Sequence, residues 1–416
     1  MIPVRTHSSQ LVLGVGACLS LLFLDAATSL GVPILGYGQR TQQAAGAGQT
    51  QSRGAPAILH NPANLVMSRH EVYYEINYLN LLHRYTPAEE KYPIAEIKVG
   101  APPVAVGGAY HKRKKPWAAG IMMIPLGTGD ETKIEKVPLQ TGTTVSIFDE
   151  VSRGQAGYQL GFGYARRFKK RYTFGLALNM LTESYTVKAV NDTVTLMDAD
   201  YSGTFWQYKL GTRIAVSRRL KLGVSYTSAI KKEYSGSVII SGVETNSPPK
   251  EYIPSSLGFG VQYRLNQISY FFDTLYEFHE DAKTYVQGPF PGGPEETDLK
   301  NAYLLSVGGR YYSMMRHQSF VGAFGMATGN KGDGLIVENA DGFPEVIVTG
   351  GGQFGDMEAI PHKIYTFGWT YSKRSYEINA MFKYLTGQRI VADGLVGEGF
   401  YQVKTTTLGV GGLVRL

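Results

Sequence analysis

Tyr158-Gln159-Leu160-Gly161-Phe162-Gly163-Tyr164-Ala165, a basic break at Arg167–Arg171, and then Tyr172-Thr173-Phe174-Gly175-Leu176-Ala177-Leu178-Asn179-Met180 form the stretch that decides the fold. Bulky apolar residues take every second position, and Gly or small polar residues take the positions between. A period of two is the signature of a strand with one apolar face. The pattern returns at Leu220-Leu222-Val224-Tyr226, Leu257-Phe259-Val261-Tyr263 and Tyr365-Phe367-Trp369-Tyr371. It returns again at Tyr376-Ile378-Ala380-Phe382-Tyr384 and at Leu408-Val410.

The breaks between strands are periodic as well. Short polar or basic connections fall at His111–Pro116, Arg167–Arg171, Ser217–Arg219, Asn266–Gln267, Met315–His317 and Ser372–Ser375, about 50 residues apart. Between them lie long segments rich in Gly, Pro and acid, such as Asn246–Glu251, Gly288–Asp298 and Gly329–Phe343. Each unit reads as strand, long loop, strand, short turn. From Glu71 to the end this makes seven hairpins, or about fourteen strands. An even strand number with loops sorted by length describes an all-β, transmembrane, antiparallel up-and-down β-barrel.

Composition agrees. The chain has 416 residues, 28 Tyr, 50 Gly and one Cys; 43% of residues are hydrophobic and 18% charged. That rules out a bundle of apolar helices, whereas alternating strands cancel in hydropathy. Tyr suits the aromatic girdles at the membrane surfaces, and Gly suits tight barrel bends. The formal charge of +7 is spread over short turns and not along one aromatic-interleaved face. Nucleic acid is therefore not an expected partner, and anionic headgroups explain the basic turns more simply.

Arg5 and His7 precede the apolar run Leu11–Leu24 and the small residues Ala26, Ala27, Thr28 and Ser29. Residues 1–28 therefore read as a signal peptide. Cys18 falls inside it, which leaves the mature chain without a thiol. Residues 29–69 carry no strand alternation and are rich in Gly, Ala, Gln and Ser, as expected of a linker or of a compact plug (hatch) held by something else. Residues 70–416 are the expected barrel.

Three segments resemble the FadL/TodX family of outer-membrane transporters for long-chain fatty acids and other hydrophobic compounds. Ala57-Ile58-Leu59-His60-Asn61-Pro62-Ala63-Asn64-Leu65 resembles the family's plug signature. Trp117 to Gly127, with Gly120 and Pro125-Leu126-Gly127, is similar to its third strand. Ile253-Pro254-Ser255-Ser256-Leu257-Gly258-Phe259-Gly260-Val261-Gln262-Tyr263 is similar to its recurring strand entry. The terminal Leu416 departs from the aromatic residue that usually closes such barrels. The resemblance implies an N-terminal plug, an apolar ligand site and lateral exit of ligand into the bilayer. It further implies a monomer assembled by the barrel assembly machinery among outer-membrane lipid. No cofactor and no metal are needed, and the protein is not expected to be an enzyme.

Four groups of candidate residues follow. Pro62 fixes its own φ and biases Asn61 toward extended geometry, so Asn61, Pro62 and Ala63 are either a hinge of the plug or a turn into the first strand. Pro102, Pro103, Pro125 and Gly127 interrupt early strands, as a lateral gate or as ordinary bulges would. If Tyr208, Leu210, Ile214 and Val216 face lipid, Lys209 and Arg213 face the lumen. By the same parity Arg264, Asp273, Glu277, Arg310, Glu377 and Lys383 face it too, because charge at the bilayer midplane is costly. Lys209, Arg213, Arg264 and Arg310 are thus candidates to hold a ligand carboxylate or to anchor the plug by ion pairs. Residues 183–202 and 232–253 carry more apolar side chains than solvated loops need, as a ligand-capturing groove or as strand extensions.

Enzyme motifs are absent from this reading. His70-Glu71 begins a metalloprotease pattern, but Tyr74 stands where its second His belongs. His279-Glu280-Asp281 sits at a strand end, and Gly329–Gly334 lacks phosphate- or calcium-loop spacing. Passive transport is therefore the expected function, with a general porin, a surface structural or adhesin barrel and an outer-membrane phospholipase or protease as rivals.

Overall fold

The computed structural model describes residues 37–87, 95–101, 104–112, 115–128, 132–141, 144–169, 171–191, 194–240, 243–245, 250–279, 300–313, 317–329, 335–338, 344–347, 360–391 and 399–416. The signal-peptide reading and Pro102-Pro103 lie outside them. The described part of the N-terminal segment holds two single-turn helices, α1 (Gln39–Gln42) and α2 (Ala57–His60), and a 3-10 stretch, Pro62–Met67.

The wall then runs β1 (Glu71–Pro87), β2 (Ala95–Ala101 and Val104–Tyr110), β3 (Trp117–Thr128 and Thr132–Thr141), β4 (Thr144–Phe168) and β5 (Tyr172–Asn191). It continues as β6 (Val194–Ala215), β7 (Leu220–Thr227 and Ser235–Ile240), β8 (Val243–Thr245 and Ser256–Leu265), β9 (Ile268–Glu277) and β10 (Ala302–Ser313). β11 (Gln318–Ala327), β12 (His362–Ser372), β13 (Tyr376–Val391) and β14 (Gly399–Arg415) complete it. The two parts of β2 pair with the same strand, as do those of β3 and of β7. Counted this way the barrel has 14 strands, all antiparallel. β1 pairs with β14 over its whole length, from Glu71 opposite Arg415 to Pro87 opposite Gly399. This pairing closes the sheet and removes the unpaired edge that a lipid environment forbids.

The alternation seen in the sequence sorts the two faces. On β5, Phe174, Leu176 and Leu178 are exposed, while Thr173, Ala177 and Asn179 are buried. On β1, Tyr74, Ile76 and Tyr78 face out, and Tyr73, Glu75 and Asn77 face in. An apolar outer band around a polar interior is the outer-membrane-type architecture. Aromatic pairs gather near the short turns: Tyr110 with Trp117 at 5.5 Å, Phe168 with Phe174 at 5.8 Å and Trp369 with Tyr371 at 6.3 Å. The turns themselves are tight. Lys169, Asn266 and His317 each adopt positive φ, and β8 and β9 are joined by Asn266-Gln267 alone.

The apolar residues of 183–202 are strand extensions: Glu183–Asn191 continues β5 and Val194–Ser202 begins β6, and the two pair with each other. In 232–253, Ser235–Ile240 belongs to β7, and Ile230–Glu233 pairs with Lys250–Ile253 as a separate two-stranded unit.

The strand glycines have a specific role. Several inward-facing glycines lie against the N-terminal segment: a Cβ on Gly175 would strike the backbone of Pro62 and Ala63, and one on Gly223 the backbone of Gln49. One on Gly163 would meet Ile58 and Leu65, at 2.7 Å each. Gly309, by contrast, has no heavy atom nearer than 3.9 Å to such a Cβ. Gly175→Leu should therefore expel the segment from its seat and expose Arg40 and Arg53 to trypsin, while Gly309→Ala leaves the cleavage pattern unchanged. Limited proteolysis of the two purified variants checks this, and equal resistance in both would contradict the seating.

Candidate functional site

The interior is built from residues 37–68 lying against the inner faces of strands around the whole wall. A chain placed there brings peptide groups that must be hydrogen-bonded, because leaving one buried and unpaired costs about 1–3 kcal/mol. The wall meets them with inward polar side chains. Glu75 on β1, fully buried, accepts from Gly38 N at 2.8 Å, Gln42 Nε2 at 2.6 Å, Asn77 Nδ2 at 2.7 Å and Gln39 Nε2 at 3.3 Å. Tyr73 OH donates to the same carboxylate and accepts from Gln39 N. Opposite, Asp273 on β9 accepts from Gln49 N at 2.6 Å, and Ser306 Oγ on β10 donates to Ala45 O at 2.7 Å. Gln43 Nε2 donates to the carbonyls of Trp369 and Ala380, ladder partners on β12 and β13, at 3.1 Å each.

An ion pair ties the segment to the wall. Arg40 grips Glu377 on β13 through Nε and Nη2, both at 2.8 Å, and Arg415 Nη2 approaches the same carboxylate at 3.3 Å. Such two-point guanidinium–carboxylate contacts are strong and directional.

Asn61, Pro62 and Ala63 form the turn at the far end of the segment. Asn61 is extended (φ −138°, ψ 100°) and caps the 3-10 stretch by accepting from Ala63 N at 3.1 Å. Its Nδ2 donates to Gln49 O and to Thr212 O on β6, each at 3.1 Å. Asn64 Nδ2 donates to Gln49 O as well, at 2.9 Å. The motif is thus a local cap and a tie to the wall at once. Beside it, His60 Nε2 lies 2.7 Å from Tyr37 O. Burial pushes the His60 imidazole down to about 4, so it is neutral at neutral pH and donates this bond.

The inward charges fall into place around this core. Lys209 donates to Leu59 O. Arg213 and Arg310 are buried, at 7% and 0% exposure, and Arg310 reaches Ser319 Oγ and Thr370 Oγ1 only at 3.5 Å. Lys383 is buried. Glu277 lies 3.2 Å from His279. Arg264 shares the inward parity but lies at the short-turn mouth, exposed, donating to Asn266 O and resting 5.2 Å from the Tyr312 ring. The structure brings Lys209 and the Asn61 turn together on the inner segment and places Arg264 apart from them. Glu280 and Asp281 lie outside the described residues, among which no three His, Cys, Asp or Glu side chains converge as metal ligands.

The described strand ladder is interrupted near Pro125, although the upper segments of β2 and β3 remain neighbours. Between β2 and β3 the described ladder ends at Val106 opposite Met123. Ala95–Ala101 of β2 pairs with β1, and Thr132–Thr141 of β3 pairs with β4, but no described ladder joins these two upper segments. On its other side, β3 shifts register against β4 between Pro125 and Gly127. Tyr37 OH donates to Pro125 O at 3.1 Å, linking the start of the described inner segment to this bulge. Reading the sequence alone overlooked Gln39, Gln42, Gln43, Gln49, Asn64 and Glu75. Their one available signal was a run of Gln without apolar residues preceding strands with inward acids.

These observations define a class: a closed membrane-spanning barrel of fourteen strands whose lumen holds the chain's own N-terminal segment. Solved structures of that class match almost end to end. A FadL homologue from Pseudomonas aeruginosa superimposes with a TM-score of 0.68 at 11% identity, covering 94% of this chain and all of that one. The P. putida toluene transporter TodX gives 0.60 at 13% identity over 92% of this chain and 99% of its own. The CymD monoaromatic hydrocarbon channel gives 0.61 at 11% identity over 93% and 99%. The likeness shows a shared fold. No protein-family model matches the chain, and no curated protein matches it in sequence.

Breaking a buried pair costs about 3–5 kcal/mol; Glu377→Ala strands Arg40 and Arg415 together, whereas after Arg40→Ala the carboxylate keeps Arg415 and the loss is smaller. Arg40→Ala and Glu377→Ala should each lower the denaturation midpoint, and the double variant should lose clearly less than the sum. Additive losses in denaturant titrations would show that the pair does not anchor the segment.

Proposed function

We propose that the protein is a passive transporter of the bacterial outer membrane for long-chain fatty acids or similar hydrophobic compounds. Residues 37–68 act as its hatch, and ligand leaves sideways through the wall near Pro102, Pro103, Pro125 and Gly127. One observation carries this reading: residues 37–68 lie across the lumen against the inner faces of the strands, while the wall lacks a described ladder between upper β2 and upper β3. A hydrophobic molecule gains nothing from an aqueous exit and can pass directly from the interior to lipid. The Tyr37–Pro125 hydrogen bond gives the hatch a direct hold on the bulge, and Asn61 and Pro62 fix its other end.

The transport roles named in the similar structures, toluene and monoaromatic hydrocarbons, put small aromatic compounds beside fatty acids as ligands. Affinity would rest on apolar burial, worth about 0.8 kcal/mol per methylene, so longer acyl chains should bind tighter. No covalent step and no cofactor are required.

Uptake of labelled long-chain fatty acid by cells lacking their own transporter, with and without this protein, tests the proposal. Expected is protein-dependent uptake that rises with chain length and falls when Asn61 and Pro62 are both replaced by Ala. Steady single-channel conductance to small ions from the assembled barrel, with no such uptake, would favour the porin reading.

A further inference from the structure

The short-turn mouth of the barrel carries an imbalance of charge that the hatch does not use. Arg213 points inward from β6, two residues before that strand ends, and is only 7% exposed. Its Nε has no hydrogen-bond partner. The residues paired with it, Thr173 on β5 and Gly223 on β7, carry no charge. On the far side of Thr173 the next strand places Arg167 in the same row. On the other side Lys221 lies two residues from Gly223 on β7, opposite Ala215, and its partner Gln262 leads to Arg264 on β8. Arg53 of the inner segment adds a further cation, one that also faces Glu71 and Glu377. All five are cations.

The acceptors nearby are few. Arg167 Nη2 donates to Val66 O at 3.3 Å and Arg53 Nη2 to Met67 O at 3.4 Å. Arg264 is turned onto Asn266 O. At this end Glu71 sits against Gly54 of the inner segment, and Glu377 is held by Arg40 and Arg415. Among the described residues no carboxylate pairs with Arg213. A buried guanidinium without acceptor or counter-charge is unfavourable, and like charges around it make it more so. An anion entering the group would relieve both at once. Guanidinium forks match the oxygens of carboxylate and phosphate groups, and Lys adds a point charge.

The geometry points to a binding site for an oxyanion, a carboxylate or phosphate group, centred on Arg213 and flanked by Arg53, Arg167 and Lys221. It lies on the short-turn side of the Asn61–Pro62 contact with Gly211, away from the unladdered wall between β2 and β3. It therefore stands whether or not the transport reading does. The oxyanion is either a free anion from the aqueous phase or the headgroup of an anionic phospholipid in the adjacent leaflet.

Equilibrium dialysis of inorganic phosphate against the purified full barrel in neutral detergent tests the first source. Retention of phosphatidylglycerol over phosphatidylcholine, read by mass spectrometry after lipid exchange, tests the second. Arg213→Gln should weaken binding about tenfold or more, the worth of one charge-assisted hydrogen bond. Lys373→Gln, which removes an exposed cation between Tyr371 and Tyr376 on another turn, should not. Saturable phosphate binding with this pattern assigns the site to a free anion, and selective phosphatidylglycerol retention with this pattern assigns it to a headgroup. Absence of both, or equal weakening by Arg213→Gln and Lys373→Gln, overturns the proposal. Heat-modifiable migration on gels confirms folding, and Lys221→Gln carries the same test if Arg213→Gln does not fold.

Discussion

A barrel of this size encloses more space than its own side chains fill, and the rest of the structure depends on how that space is occupied without stranding polar groups. Filling it with a segment of the same chain is unfavourable unless the segment's peptide groups find partners. Here they find Glu75, Asp273, Ser306 and Thr366, and the Arg40–Glu377 pair adds a side-chain tie. The solution acts on both partners. The wall gives up side chains at Gly175, Gly211, Gly223, Gly260 and Gly368 to make room, and the segment uses Gln and Asn, which offer donors and acceptors from one side chain. Closure of β1 on β14 makes the enclosure rigid enough for such contacts to hold.

The wall was legible because its physics is periodic. On β5 a one-residue slip would place Thr173 and Asn179 against lipid and Phe174 and Leu178 inside, so the sequence has to declare its register. The short turns were equally readable, down to the two-residue Asn266-Gln267 link. The interior was not. Gln39, Gln42, Gln43 and Gln49 contact parts of the chain between 33 and 337 residues away, and nothing in local spacing announces such partners. The same reason left residues 183–202 ambiguous: alternation says strand, but not whether the strand stands in lipid or above it. The Asn61-Pro62-Ala63 turn was visible as a motif, yet its tie to Thr212 needed the closed barrel.

The interruptions of the wall take their meaning from the segment inside it. A bulge at Pro125 in an empty barrel would be a local irregularity. In this barrel the bulge carbonyl accepts a hydrogen bond from Tyr37, which ties the inner segment to the wall at the bulge. Proline is what makes this durable: it has no N–H to return to the ladder, so the defect does not heal by a simple register shift.

Acids and cations of the interior are satisfied differently. Glu75, Asp273 and Glu377 each have donors from the inner segment, and so acids are where the segment is held. Arg213, Lys221 and Arg264 cluster where the segment has ended and the turns begin. Acids that hold the segment can be matched within the chain, because its backbone supplies N–H groups in excess at α1 and at Gln49. At the short-turn mouth Val66 O and Met67 O serve Arg167 and Arg53, and Arg213 has no such acceptor. Arg40 and Lys209 thus find their partners within the chain, whereas Arg213 does not.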